Sequence, residues 1–397
     1  MFDYINEYKI LNKTFNLLSD EIQIPNSDTK IINFTFRSSY SNMLPGIYDS
    51  ISFLSDDNFS IADKNIPENK TFRYSIFRPN YEDADKKVIL LMHGLNERSW
   101  AKYLPWAKYL AEKTKNSVIL FPISFHMNRT PFSWRNSREM NQLSSLRKKL
   151  FPKVKENSFI NAALSDRLQS NPKRFFLSGL ESYYEIIELS KKIKSGNHSL
   201  FAKNAQINFF SYSIGAFLTE LLLMANPANL FQKSKAFLFC GGATMKRMNG
   251  TSRFILDSKA DATLTKFFTR RFSKKIKKDK KLYSLIKNTK AGVYFYSMLG
   301  TKKYKKLRIE RFKKLNKQIK IIGLKNDKII PAKGIKKTYD KNKKSKTGIN
   351  YKILNFPFSY THENPFPVKN NNKRTVDLVN HYFNFVFDYA SSFLSEN

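Results

Sequence analysis

With 397 residues, 41% of them hydrophobic, the chain can build one large α/β domain with additions, or two domains. A single cysteine, Cys240, excludes an intrachain disulfide, and no apolar run approaches the roughly 18 residues of a spanning helix, so nothing demands an oxidising compartment or a membrane span. The 70 lysines and arginines against 32 acids give a formal charge of +38, which excludes an anion-repelling surface.

The opening residues, M-F-D-Y-I-N-E-Y-K-I-L-N, lack a basic stretch followed by an apolar core. No secretory signal is expected, and the expectation is a soluble, cytoplasmic protein. Residues 1–69 read as an N-terminal extension, in which Ile31–Phe36 alternates weakly as a strand and 55–70 is polar and loop-like. Phe72–Arg78 alternates well and predicts an early antiparallel strand. Val88–Gly94, V-I-L-L-M-H-G, is a short aliphatic run that fits a buried strand and ends in His93-Gly94-Leu95. Glycine lets the backbone turn there, so that the Leu95 amide can point into a site; His93 itself reads as structural. Glu97 and Arg98, just beyond, are candidates for substrate contact. A helix is expected over 99–115 and a strand over 118–124.

That strand runs into F-H-M-N-R-T-P-F-S-W-R-N-S-R-E-M, and 126–175 reads as a long irregular connection. Loops at the carboxyl ends of parallel strands line the ligand crevice. His126, Arg129, Arg135 and Arg138 are therefore candidates for recognising an anion, with Trp134 as an apolar wall, since arginine matches planar carboxylates and phosphates. Surface arginines around a turn would give the same pattern. A helix over 178–194 leads to the most informative run, Ile207–Gly215, I-N-F-F-S-Y-S-I-G, followed by the apolar stretch Ala216–Met224. A short strand ends at a serine flanked by small residues and a helix begins at once, which is the pattern of a turn that exposes a nucleophile. Ser213 is that serine. Tyr212 beside it is a candidate for substrate contact, and the Ile214 amide, at a helix N-terminus, for an oxyanion donor.

Strand 236–240 ends at Cys240, read as a small buried residue. The stretch 244–318 follows, where Tyr304, Leu307, Phe312 and Leu315 lay an apolar stripe at helical spacing among lysines. Residues 266–320 hold 21 lysines and arginines against two acids, Asp279 and Glu310, a surplus of 19 and half the net charge. Such a segment can attract an acidic substrate, an anionic membrane surface or nucleic acid, although no nucleic-acid motif accompanies it. A solvated helical face has the same composition. Ile319–Pro331 reads as a strand, a polar turn holding Asp327, and a helix start; Asp257 is a reserve candidate for the same acidic role. Ile353–Pro365 places His362 after a last strand and before a helix over 374–394. His198, in a polar surface stretch, and His381, within the terminal helix, have weaker claims.

A serine hydroxyl needs a base to take its proton and a third group to orient that base. Ser213, Asp327 and His362 occur in the order nucleophile, acid, base, each just after a predicted strand. In these stretches, residues 70–243 and 319–397, the chain resembles the alpha/beta-hydrolase superfamily. The resemblance implies a mostly parallel eight-stranded sheet with helices on both faces. It further implies Ser213 as nucleophile, His362 as general base, Asp327 as orienting acid, an oxyanion hole from Leu95 and Ile214, and a mainly helical basic lid over 244–318. Ser211 stands where the usual elbow has glycine. The stretches H-G-L-N-E-R-S-W and F-H-M-N-R-T-P resemble an uncharacterised branch and bring no substrate with them.

The resulting expectation is a serine hydrolase that cleaves an ester or related acyl bond of a small molecule, with no metal or cofactor. The alternatives are acyl transfer on the same triad and a non-catalytic binding protein working through the basic insertion. Among partners an anionic substrate and an anionic membrane surface rank above nucleic acid. The sequence is silent on oligomeric state.

Overall fold

The structure, a computed structural model, describes residues 2–40, 63–340, 346–369 and 372–396. Nine strands form one sheet: β1 (Glu21–Gln23), β2 (Thr29–Arg37), β3 (Thr71–Pro79), β4 (Lys87–Met92), β5 (Ser117–Leu120), β6 (Gln206–Tyr212), β7 (Ala236–Phe239), β8 (Ile319–Leu324) and β9 (Asn350–Leu354). Their order is β1-β2-β3-β5-β4-β6-β7-β8-β9. The pairs from β1 to β3, and β3 with β5, are antiparallel; all the others are parallel. This is the alpha/beta-hydrolase sheet, with β1 added as a ninth, edge strand to the eight expected.

The helices are α1 (Tyr4–Thr14), α2 (Pro67–Lys70), α3 (Tyr103–Thr114), α4 (Ser137–Leu150), α5 (Ala162–Ser170), α6 (Lys173–Lys194), α7 (Ile214–Ala225), α8 (Ser258–Lys266), α9 (Phe272–Lys277), α10 (Lys280–Lys287), α11 (Lys290–Met298), α12 (Lys305–Lys314), α13 (Ala332–Tyr339) and α14 (Lys373–Ser395). Strand side chains alternate between two cores. Val88, Leu90 and Met92 of β4 join α6, α7, α13 and the helices from α8 to α12 on one face. Ile89 and Leu91 join α1, α3 and α14 on the other. With both faces covered, central strands read as continuous aliphatic runs rather than as alternation. Among the described residues no helix is long and apolar enough to cross a membrane.

Three expectations change. The strand expected over 118–124 stops at Leu120: Pro122 has no N–H for the ladder, and the Ile123 amide donates to His93 Nε2 instead. The connection over 126–175 is not irregular. It holds α4 and α5; α4 is capped by Asn136 and buries only Met140, Leu143 and Arg147, too sparse a stripe to read as a helix. His198 is not on the surface: it is buried, pairs with the Tyr74 hydroxyl at 2.9 Å, and burial pushes its pKa down to about 4. Of the N-terminal 69 residues, α1 lies against α3 and α14, and β1 and β2 extend the sheet. Of the polar stretch read at 55–70, residues 55–62 lie outside the described residues.

Candidate active site

The strand β6 is followed at once by Ser213, whose backbone (φ 56°, ψ −120°) lies where non-glycine residues are strained. The strain has local causes. The Ser213 amide donates to Phe239 O at 3.3 Å and its carbonyl accepts from Ala216 N at 3.1 Å, so strand and helix join with no spacer. A Cβ on Gly215 would lie 2.7 Å from backbone atoms of Met92 and His93, which explains the glycine. At Ser211 a side chain is accommodated: it is fully buried and hydrogen-bonds the Thr219 hydroxyl on α7 at 2.7 Å.

His362 Nε2 lies 2.7 Å from Ser213 Oγ, and His362 Nδ1 lies 2.7 Å from Asp327 Oδ2. The other oxygen of Asp327 accepts from the Ile329 and Ile330 amides, both at 2.8 Å, which fixes the carboxylate before the helix α13. The Tyr212 ring stacks on the His362 imidazole, with centroids 5.3 Å apart. All three side chains are buried, Ser213 to 4% and His362 to 3% exposure, so the site is closed. The segment over it is stapled down: Asn96 Nδ2 donates to Phe254 O at 2.7 Å, Asn161 Nδ2 to Ser252 O at 2.8 Å, and the Ser252 hydroxyl bonds the carboxylate of Glu363, next to His362.

The His93-Gly94-Leu95 turn is held from within. His93 Nε2 accepts the Ile123 amide, so its Nδ1 carries the proton and donates to Gly94 O at 2.9 Å; burial keeps this ring neutral. The Tyr103 hydroxyl accepts from Gly94 N at 3.0 Å and donates to Glu97 at 2.9 Å. Leu95 and Ile214 line the pocket around Ser213 together. Lys102, which the sequence did not single out, bonds Glu97 at 2.5 Å and Glu363 O at 2.9 Å and sits over the Tyr212 ring. Glu97 thus holds this turn. Arg98 reaches Phe159 O at 3.4 Å.

The anion-recognition cluster is not formed. Arg129 is fully buried; its guanidinium meets Glu185 at 2.6 and 2.7 Å and Glu181 at 3.4 Å and stacks on Phe72, because α6 brings those acids beneath the loop. Arg135 donates to Thr130 and to Met127 O, Arg138 is exposed, and Trp134 carries the Arg167 guanidinium on its face. Asp257 is no reserve acid: it caps α8 and pairs with buried Arg147 at 2.6 Å. His126 does line a pocket, a cavity of about 60 Å³ walled by Leu95, Ile214, Phe217, Leu221, Tyr183 and Phe295 among others. A second, of about 50 Å³, contains Ser213 itself and shares Leu95, Ile214 and Phe175.

Among the described residues one set of possible metal ligands occurs: Cys240, Asp327 and His362, whose ligand atoms lie within 4.8 Å of one another. Burial and the neighbouring Asp327 push the Cys240 thiol well up, which keeps it protonated and a poor ligand, and His362 and Asp327 already bond each other. No local pattern signals that Cys240 sits beside the acid, since β7 and the turn after β8 meet only in the sheet.

The sheet and the elbow define a protein of the alpha/beta-hydrolase fold with a closed Ser-His-Asp array. Residues 2–395 match the model of a family of unknown function (DUF6051), and the chain belongs to that family. None of the curated proteins matches it. Similar solved structures include an esterase of Pyrobaculum calidifontis (11% identity over 99% of this chain and 90% of that one, TM-score 0.44) and carboxyl esterase 2 of the mycorrhizal fungus Tuber melanosporum (9%, 99% and 98%, TM-score 0.47). Another is an acylaminoacyl peptidase of Pyrococcus horikoshii (12% over 82% of this chain, TM-score 0.42), of whose length this chain spans 40%. These are likenesses of fold alone.

Proposed function

We propose that the protein is a serine hydrolase that cleaves an ester or related acyl bond through an acyl-enzyme on Ser213. The observation that carries this reading is the unbroken hydrogen-bond chain from Ser213 through His362 to Asp327, anchored at a strained turn. In this reading Ser213 Oγ attacks the carbonyl carbon while His362 Nε2 takes its proton. Asp327, itself held by two amides, keeps the Nδ1–H tautomer and stabilises the imidazolium that forms. The Leu95 and Ile214 amides take up the charge that develops on the carbonyl oxygen. His362 returns the proton to the leaving group, then activates the water that frees the acid. The two small apolar cavities beside Ser213 suit a short to medium acyl group and a compact leaving group. The helices from α8 to α12 act as the lid, and their charge favours anionic molecules at the approach.

The test is labelling of the whole protein with a fluorophosphonate probe. Wild type is expected to label and Ser213→Ala to lose both labelling and ester turnover, by at least about a thousandfold. Equal turnover by the variant would overturn the mechanism.

A further inference from the structure

His126 faces the cavity between α6 and α7 with one nitrogen unaccounted for. Its Nδ1 lies 2.8 Å from Ser124 O, a carbonyl that can only accept, so the proton is on Nδ1 and Nε2 carries a lone pair. The residue is 5% exposed, and Nε2 has no hydrogen-bond partner among the described residues. Burial pushes its pKa down to about 4, so the ring is neutral at ordinary pH and Nε2 stays an acceptor. A buried acceptor left without a donor is destabilising, and a bound donor group would remove that cost. Ser182 Oγ donates to Ser178 O or Ser124 Oγ and accepts the Ser124 amide, and no hydroxyl among the described residues bonds His126 Nε2. The cavity opens on Leu95 and Ile214, where the carbonyl oxygen of a substrate would be held, so an acyl group placed there runs past His126.

Resting on the hydrolase reading, we infer that the acyl half of the substrate carries an O–H or N–H group that donates to His126 Nε2. A site built to receive a donor rejects the analogue that lacks it far more strongly than it rejects a missing methylene. The experiment compares the 4-nitrophenyl esters of butanoate, 3-hydroxybutanoate and N-acetylglycine, the latter two separating O–H from N–H sources. Wild type is expected to prefer at least one donor ester over butanoate by about tenfold or more in kcat/KM. His126→Leu abolishes that preference, and His126→Gln, whose amide oxygen still accepts, restores part of it. No preference in wild type, or a preference that survives in His126→Leu, overturns the inference. Fluorophosphonate labelling is run alongside: labelling without preference sinks this inference alone, whereas absent labelling sinks the hydrolase reading beneath it.

A separate observation lies outside the Ser213 pocket. A cleft of about 830 Å³ is lined by Lys173 from α6, Lys266 from α8, Arg271, Lys275 from α9, Lys278, and Lys280 and Lys281 from α10. Its single acid, Asp279, pairs with Lys173 at 2.7 Å; the other six cations have no carboxylate within 4 Å among the described residues. One wall is a π-helical turn, Phe267–Arg271, a rare form that recurs at functional sites. α8 divides the cleft from the serine pocket, with Lys266 facing the first and Leu264 the second. A concave site with one half-buried aromatic, Phe267, suits a compact polyanion better than a flat bilayer or a strand of stacked bases.

The geometry points to a binding site for a compact polyphosphate-type anion. Inorganic tripolyphosphate at low salt is the probe, with a single-stranded oligonucleotide and phosphatidylserine vesicles as competing arms. Wild type is expected to bind tripolyphosphate. The triple variant Arg271→Gln, Lys275→Gln, Lys278→Gln binds it about tenfold more weakly, the scale of three exposed charge contacts, with fluorophosphonate labelling unchanged. Equal binding by the variant, or binding confined to vesicles or to the oligonucleotide, overturns the assignment.

Discussion

The chain carries its positive charge in two ways. Beneath the loop after β5 and around α5, Arg129, Arg147 and Arg174 are buried, and each meets a carboxylate: Glu185, Asp257 and Asp63 respectively, at 2.6 to 2.9 Å. Around the cleft of α8, α9 and α10, exposed cations crowd together with one acid between them. Burial is the difference. A charge taken out of water must be paired there, whereas a solvated one need not be. Arginine serves the interior because its planar fork satisfies several acceptors at once; lysine fills the surface. Among the described residues the positive surplus therefore lies on the surface, and the buried side chains are close to balanced.

The largest expected effect comes from breaking an interior pair. Arg129→Met strands Glu185 under the loop and should cost about 3–5 kcal/mol, read as a lowered urea midpoint. Arg129→Met with Glu185→Leu should recover part of that, since one uncompensated charge goes with it. A single variant as stable as wild type would remove the distinction between the two populations. Glu220 on α7 sharpens it from the acid side. It is buried, bonds the Tyr339 hydroxyl, has no ion pair among the described residues, and burial raises its pKa from 4.5 to about 8. A folded-state pKa above the unfolded one means stability present below pH 4.5 and lost as pH rises toward 8, on the order of a few kcal/mol. Glu220→Gln lacks this titration, so its melting temperature should gain on wild type between pH 5 and pH 8. A constant gap across that range would show Glu220 ionised throughout. The smallest effect belongs to the cleft. The triple variant used for tripolyphosphate should leave the urea midpoint within about 0.5 kcal/mol of wild type.

The same contrast accounts for what could be read in the sequence. The hydrogen-bonded array of Ser213, His362 and Asp327 was legible because each member sits in a short local pattern: the small-residue turn around Ser213, the turn after β8 for Asp327, the loop before α14 for His362. The order of strands and helices around them was legible for the same reason. Arg129 was misjudged because its position at the carboxyl end of β5 is local information, while Glu181 and Glu185, which neutralise it, lie on another element more than fifty residues on. His198 read as surface for a like reason, since Tyr74 on β3 is what covers it. α4 and α5 were missed because they bury few apolar side chains; they pack on each other, and α5 also on α6 and α8. The free nitrogen of His126 was beyond sequence altogether: it depends on where Ser124 O points.

The hydroxyl pair of Ser211 and Thr219 has a consequence for inheritance. Each is buried and each is the other's partner across the elbow. An apolar replacement at either position leaves one hydroxyl orphaned beneath the Ser213 turn, whereas a joint change does not. Serine at 211 is thus one half of a two-residue unit, and a change to glycine there is better tolerated when position 219 also loses its hydroxyl.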